Sequence, residues 1–144
     1  VRTKEEQMWE DLATTILSAI KSTADRISAI WPYITLVYSE YYNTEIFPLR
    51  VYGGFGNSLA PESEEEEIVI SVDFRREGKT IEVIADISRE QGETFDMTPA
   101  VYIPADEGGS ISEEKAEEIG ETIARYIQDR WELIGKELSK ASDS

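Results

Sequence analysis

Ser18 and Lys21 stand at the SxxK spacing, which puts a serine hydroxyl and a lysine amine one helical turn apart for acyl transfer. The companion elements of that chemistry are missing. No SDN-like triplet occurs, and Lys79-Thr80-Ile81 has isoleucine where KTG needs glycine. Two fixed positions recur readily by chance, so Ser18 and Lys21 read as a solvent-facing helical pair. Gly78-Lys79-Thr80 ends like a GxxxxGK[ST] phosphate loop, but Asp73 stands where the first glycine belongs, and the segment reads as a hairpin turn. Asp106 to Glu117 spans the length of an EF-hand loop with an acid at each end. Ile111 replaces its central glycine, however, and Gly108 occupies a ligand position. No metal or cofactor is expected.

The chain has 144 residues with no His and no Cys. Ser-His and Cys-His nucleophile pairs, Cys/His zinc clusters, thiol redox centres and histidine switches are therefore excluded. Carboxylates, Lys, Tyr, Ser/Thr and oxygen-ligated metals remain as possible chemistry. No complete catalytic motif uses them, so the chain is expected not to be an enzyme.

Binding is the better-supported expectation. Thirty acidic side chains against 14 basic ones give a formal net charge of −16. Residues 1–60 carry seven acidic and five basic side chains, and residues 61–144 carry 23 and nine, so the excess lies after residue 60. Such a surface repels nucleic acid and anionic membrane and attracts basic partners or divalent cations. Tyr33, Tyr38, Tyr41 and Tyr42 fall close together, followed by Tyr52 and Phe55. A strand alternates sides, so no register buries all four of the first group. Exposed tyrosine supplies ring area and a hydroxyl to a partner. The expected partner-binding set is Tyr38, Tyr41, Tyr42, Tyr52 and Phe55 with the acids Glu64, Glu65, Glu66, Glu67, Asp106, Glu107, Glu114, Glu117, Glu118 and Glu121. The bland alternatives are rings covering sheet edges and a solvated acidic face.

The elements that must position these residues follow from periodicity. Trp9, Leu12, Ile16, Ile20, Ile27 and Trp31 recur at helical spacing over residues 4–31, Thr3 and Glu6 have capping-box spacing, and Pro32 ends the helix. Residues 33–42 read as a strand with Ile34, Leu36 and Tyr38 on one side. A second strand is expected over 46–52, at a sheet edge because of Pro48. The glycines from Gly53 to Gly56 read as a turn, leading into a mobile acidic loop over about 56–67. Residues 68–75 and 81–88 alternate as an antiparallel hairpin, 94–97 reads as a short strand, and 101–103 is a weaker candidate. Residues 112–139 read as one helix capped by Ser112, with a frayed tail over 140–144. Together these predict one α+β domain over residues 1–144: a two-layer sandwich of an antiparallel sheet of four or five strands with both long helices on one face.

The functional expectation is an acidic, non-enzymatic protein that neutralises a basic partner such as a nuclease toxin, as bacterial immunity proteins do. In size, acidity and helix-strands-helix order the chain is also similar to type III secretion chaperones. That resemblance covers architecture, lacks the helix that family has between strand pairs, and implies a homodimeric secretion or assembly chaperone. A carboxylate- and tyrosine-based enzyme or small-molecule binder is the third alternative. With no apolar run long enough to span a bilayer, cytoplasmic is the expected location.

Overall fold

A computed structural model describes residues 3–60, 67–90, 92–106 and 110–140. Thr3 caps α1 (Lys4–Ile30): its hydroxyl oxygen accepts the Glu6 backbone N–H at 3.2 Å, so the expected N-cap forms, and the Glu6 carboxylate accepts from the Thr3 hydroxyl where a full capping box would have it accept from the Thr3 backbone N–H. The helix ends at Trp31, whose N–H bonds Ile27 O before Pro32. One face of α1, from Trp9 through Ile27, is buried.

Six antiparallel strands follow: β1 (Ile34–Asn43), β2 (Leu49–Asn57), β3 (Ile68–Glu77), β4 (Thr80–Arg89), β5 (Thr94–Met97) and β6 (Val101–Pro104). Their order is β1-β2-β3-β4-β5, and β6 also pairs with β4. Residues 80–83 of β4 face β6 and residues 86–88 face β5, so the two short strands lie end to end along one neighbour. The central hairpin turns at Gly78, which takes a φ of 62°.

Several expectations are corrected here. The second strand begins three residues later than its pattern suggests, so Pro48 falls just before it and the strand lies between β1 and β3 instead of at the expected sheet edge; Gly53, Gly54 and Gly56 belong to it rather than to a turn. The reason is close approach. A Cβ on Gly53 would sit 2.8 Å from Ile20 Cγ2 of α1, and one on Gly54 would sit 2.5 Å from the Tyr38 ring. The expected loop therefore does not begin at residue 56: Gly56 and Asn57 pair with Thr35 and Ile34. Residues 61–66 of that loop, and the tail beyond Lys140, lie outside the described residues.

The last helix is also two. Ser112 caps α2 (Glu113–Asp129) by accepting the Lys115 N–H, and α3 (Trp131–Ser139) follows after a break at Arg130. Arg130 bridges the sheet and α2: its guanidinium pairs with Asp96 of β5, donates to the Tyr126 carbonyl oxygen of α2 at 3.2 Å and lies 3.9 Å from the Tyr126 ring centroid. At the far end of α3, buried Asn57 donates to Leu138 O at 2.8 Å and accepts the Leu59 N–H at 2.8 Å, tying a helix C-terminus to β2.

All three helices share one core with the inward side chains of the sheet, including Leu49, Val51, Phe55, Ile70, Val72 and Ile87. This is the two-layer α+β architecture expected from the sequence. Contacts advance together along both long helices, from Leu12 at Gly120 to Ser22 at Gln128 and Arg26 at Trp131. So α1 and α2 run parallel. Among the described residues no helix is long and apolar enough to cross a membrane.

Candidate functional site

With the helices all on one side, no layer of the described residues covers the other face of the sheet. A bulge decides what β1 contributes to it. Leu36 pairs with Phe55 and Tyr38 with Gly54, leaving Val37 without a partner residue and 55% exposed. The extra residue flips the alternation. Ile34 and Leu36 point inward as expected, but Tyr38, expected beside them, points outward with Glu40 and Tyr42. Tyr41 consequently faces the helices and packs against the core.

From β2, Arg50 and Tyr52 come up beside them, paired in register with Tyr42 and Glu40. The three tyrosines form a row. The Tyr38 and Tyr52 rings are 5.9 Å apart at 64°, and those of Tyr42 and Tyr52 are 6.2 Å apart at 73°, both edge-to-face. Gly54 supplies the bare backbone on which the Tyr38 ring lies. Tyr42 is 51% exposed.

Carboxylates border the row. The Tyr52 hydroxyl donates to Glu40, which raises the Tyr52 pKa above its ordinary value. Burial, with the charges of Glu67 and Glu90, pushes the Tyr38 phenol up to about 12. Both hydroxyls therefore stay protonated as donors across the physiological range. Further across the sheet, Arg50 bonds Asp73 at 2.8 Å, and Ser71 stands opposite Asp86. A cleft of about 1050 Å³ at the Tyr42 end holds Arg50, Arg75 and Arg76 against Glu6, Glu45 and Asp73, so its charges balance.

Asp86 is the costly member of this face. Burial raises its carboxyl above the ordinary value, the Asp73 charge adds to that, and the opposing cation, Arg50, is bonded to Asp73 instead. The folded protein thus binds a proton at Asp86 more tightly than the unfolded chain does. The site's contribution to stability is complete below the unfolded pKa of about 3.9 and is lost as pH rises through the raised folded value. Asp86→Asn is expected to be more stable than the parent at pH 7 and no more stable at about pH 3. Urea midpoints at the two pH values check this, and an equal gain at both would assign the effect to something other than ionisation.

The residues expected to bind a partner therefore separate. Tyr38, Tyr42, Tyr52 and Glu67 meet on the open face. Phe55 is fully buried beneath it, so it is a core residue and not a surface anchor, as Tyr41 also largely is. Glu64, Glu65, Glu66 and Glu107 lie outside the described residues. Glu114, Glu117, Glu118 and Glu121 are exposed on α2, on the opposite side of the molecule. Asp106, also exposed, accepts the Ser110 N–H at 2.8 Å just before that helix. Ser18 and Lys21 are both exposed on α1. Among the described residues, no group of three or more acids is placed to hold a metal ion.

Sequence reasoning did not single out Glu40, Asp86 or Glu90. Asp86 carries an alternation signal, being an acid on the polar side of its strand, whereas plain alternation puts Glu40 on the side of Ile34 and Leu36, and only the Val37 bulge turns it outward. No protein-family model, curated protein or solved structure matches the chain.

Proposed function

We propose that this chain is a non-enzymatic protein-binding module that docks on, and neutralises, a basic protein such as a nuclease toxin, in the manner of an immunity protein. The observation that carries the reading is the edge-to-face row of Tyr42, Tyr52 and Tyr38 on the sheet face away from the helices, bordered by Glu40, Glu67 and Glu90. Rigid rings offer contact area at small entropic cost, and the carboxylates around them complement lysine and arginine. Asp86, whose carboxyl pKa is held above its ordinary value by burial and the Asp73 charge while Arg50 bonds Asp73, would gain from a partner's lysine or arginine. The net charge of −16 adds long-range steering toward a cationic surface.

The test is affinity capture from the source lysate at about 50 mM and 500 mM salt, with the parent chain and a Tyr38→Ser/Tyr42→Ser/Tyr52→Ser variant. A basic protein should be retained by the parent at low salt and weakened at high salt. The triple variant should lose about 100-fold or more in affinity for it while keeping its fold by circular dichroism. Capture indifferent to both salt and the tyrosines would end this reading.

A further inference from the structure

The parallel run of α1 and α2 brings their first turns to the same end of the helix layer, and their acids with them. A groove of about 1360 Å³ opens there between the two helices, confined to these helices and the segment just before α2. Its walls are Glu5 and Asp11 on one side and Glu113, Glu117 and Glu121 on the other, with Lys4 the one cation lining it among the described residues. Met8, Leu12, Ile111 and Ala116 form an apolar floor. Gly120 narrows the groove at one end, where a Cβ would sit 3.1 Å from Leu12 Cδ1.

Helix dipoles account for only part of this charge. Glu5 and Glu113 occupy first turns, where a carboxylate is favourable. Asp11, Glu117 and Glu121 lie beyond the first turn, where that benefit has faded. Glu113, Glu117 and Glu121 also succeed one another at i,i+4, a like-charge ridge that destabilises an isolated helix by about 0.2–0.5 kcal/mol per pair. The nearby lysine, Lys115, is turned to Glu118 instead, at 3.6 Å. An apolar floor between two acidic walls is the complement of one particular shape.

We propose that the α1–α2 groove receives a basic amphipathic helix from a partner protein, its apolar stripe on half-buried Met8 and Ile111, above buried Leu12, and its lysines or arginines against the two acidic walls. The lining runs from Lys4 to Thr15 along α1, roughly 16 Å, which is the length of three helical turns. A third helix laid there extends the helix layer by ordinary helix-in-groove packing. This surface is separate from the tyrosine face and does not depend on what that face binds.

The probe is a fluorescein-labelled Leu/Lys amphipathic peptide of roughly 18 residues, long enough to hold helix, with a sequence-scrambled peptide of equal composition as its control. Anisotropy titration should show the ordered peptide binding at least about tenfold more tightly than the scrambled one. Glu113→Gln/Glu117→Gln/Glu121→Gln should weaken the ordered peptide by about tenfold or more while its thermal midpoint holds or rises, because the ridge's repulsion is gone. The Tyr38→Ser/Tyr42→Ser/Tyr52→Ser variant should bind the peptide as the parent does. Equal binding of the scrambled peptide, a smaller loss in the glutamine variant, or loss in the tyrosine variant would each overturn the groove assignment. None of these results touches the capture experiment, so the two readings fail separately.

Discussion

Trp9→Ala is expected to lower the stability of this protein by about 3–5 kcal/mol, the range for deleting a fully packed large aromatic side chain. Trp9 is 1% exposed and holds the N-terminal half of α1 onto the sheet. Its ring meets Phe47 edge-on at 4.8 Å and Phe74 at 5.6 Å, one from the approach to β2 and one from β3. Removing it leaves a void between three elements that cannot all collapse inward, since Phe74 and its register partner Leu49 are themselves fully packed in the sheet. Against a total stability of about 5–15 kcal/mol for a domain, the loss removes a third or more. Urea denaturation measures it. A change below about 1 kcal/mol would mean that the first turns of α1 are not packed on Phe47 and Phe74.

That void would also reach the site, because Phe47 lines the cleft that Tyr42 and Arg50 enter from the open face. Trp9→Phe, which retains an edge-on ring, should lose less stability and leave the tyrosine row in place. Core and candidate interface are thus two faces of the same pair of strands. The inward residues of β2 hold the helices, and the outward ones carry Arg50 and Tyr52.

What the sequence discloses about this arrangement divides along one physical line. Local devices were legible: the Thr3 cap, the Ser112 cap, the Gly78 turn and the alternating hairpin of β3 and β4 all form as their residues require. Features set by a distant neighbour were not. Gly53 and Gly54 look like turn residues until Ile20 and the Tyr38 ring are seen lying against them. The Val37 bulge has no local signature, yet it alone decides that Tyr38 and Tyr42 face outward while Tyr41 faces in. Ile123 through Leu138 read as one stripe, and the pairing of Arg130, at the break, with Asp96 of β5 joins residues far apart in the chain. The candidate site was therefore half legible. Its tyrosines could be named from composition, but its carboxylates could be chosen only with the register in hand, and the parallel helices that gather the second acidic surface left no trace in either helix alone.

Gly135→Ala is the second large effect expected, and its sign is set by two opposing terms. Gly135 sits within α3, where alanine is intrinsically favoured over glycine by about 1 kcal/mol. At this position, however, the new Cβ would fall inside the Trp31 ring, 2.5 Å from Cε3 and nearer still to Cζ3. Trp31 cannot swing away freely: its ring lies 6.3 Å from that of Trp131, which is itself stacked under the Arg26 guanidinium at 4.3 Å. Moving an indole by more than an ångström against such neighbours costs about 1–3 kcal/mol, on the scale of other overpacked sites, and exceeds the helix gain. Gly120→Ala provides the contrast. There the nearest atom is Leu12 Cδ1 at 3.1 Å, the end of a flexible side chain, so propensity and crowding should nearly cancel. Trp31→Leu should remove the obstacle and let Gly135→Ala become stabilising in that background. A double-mutant cycle by thermal or urea denaturation therefore should give a coupling of about 1 kcal/mol or more between Trp31 and Gly135. Additive effects would show that the end of α1 and the middle of α3 do not meet as closely as the ring and the bare backbone require.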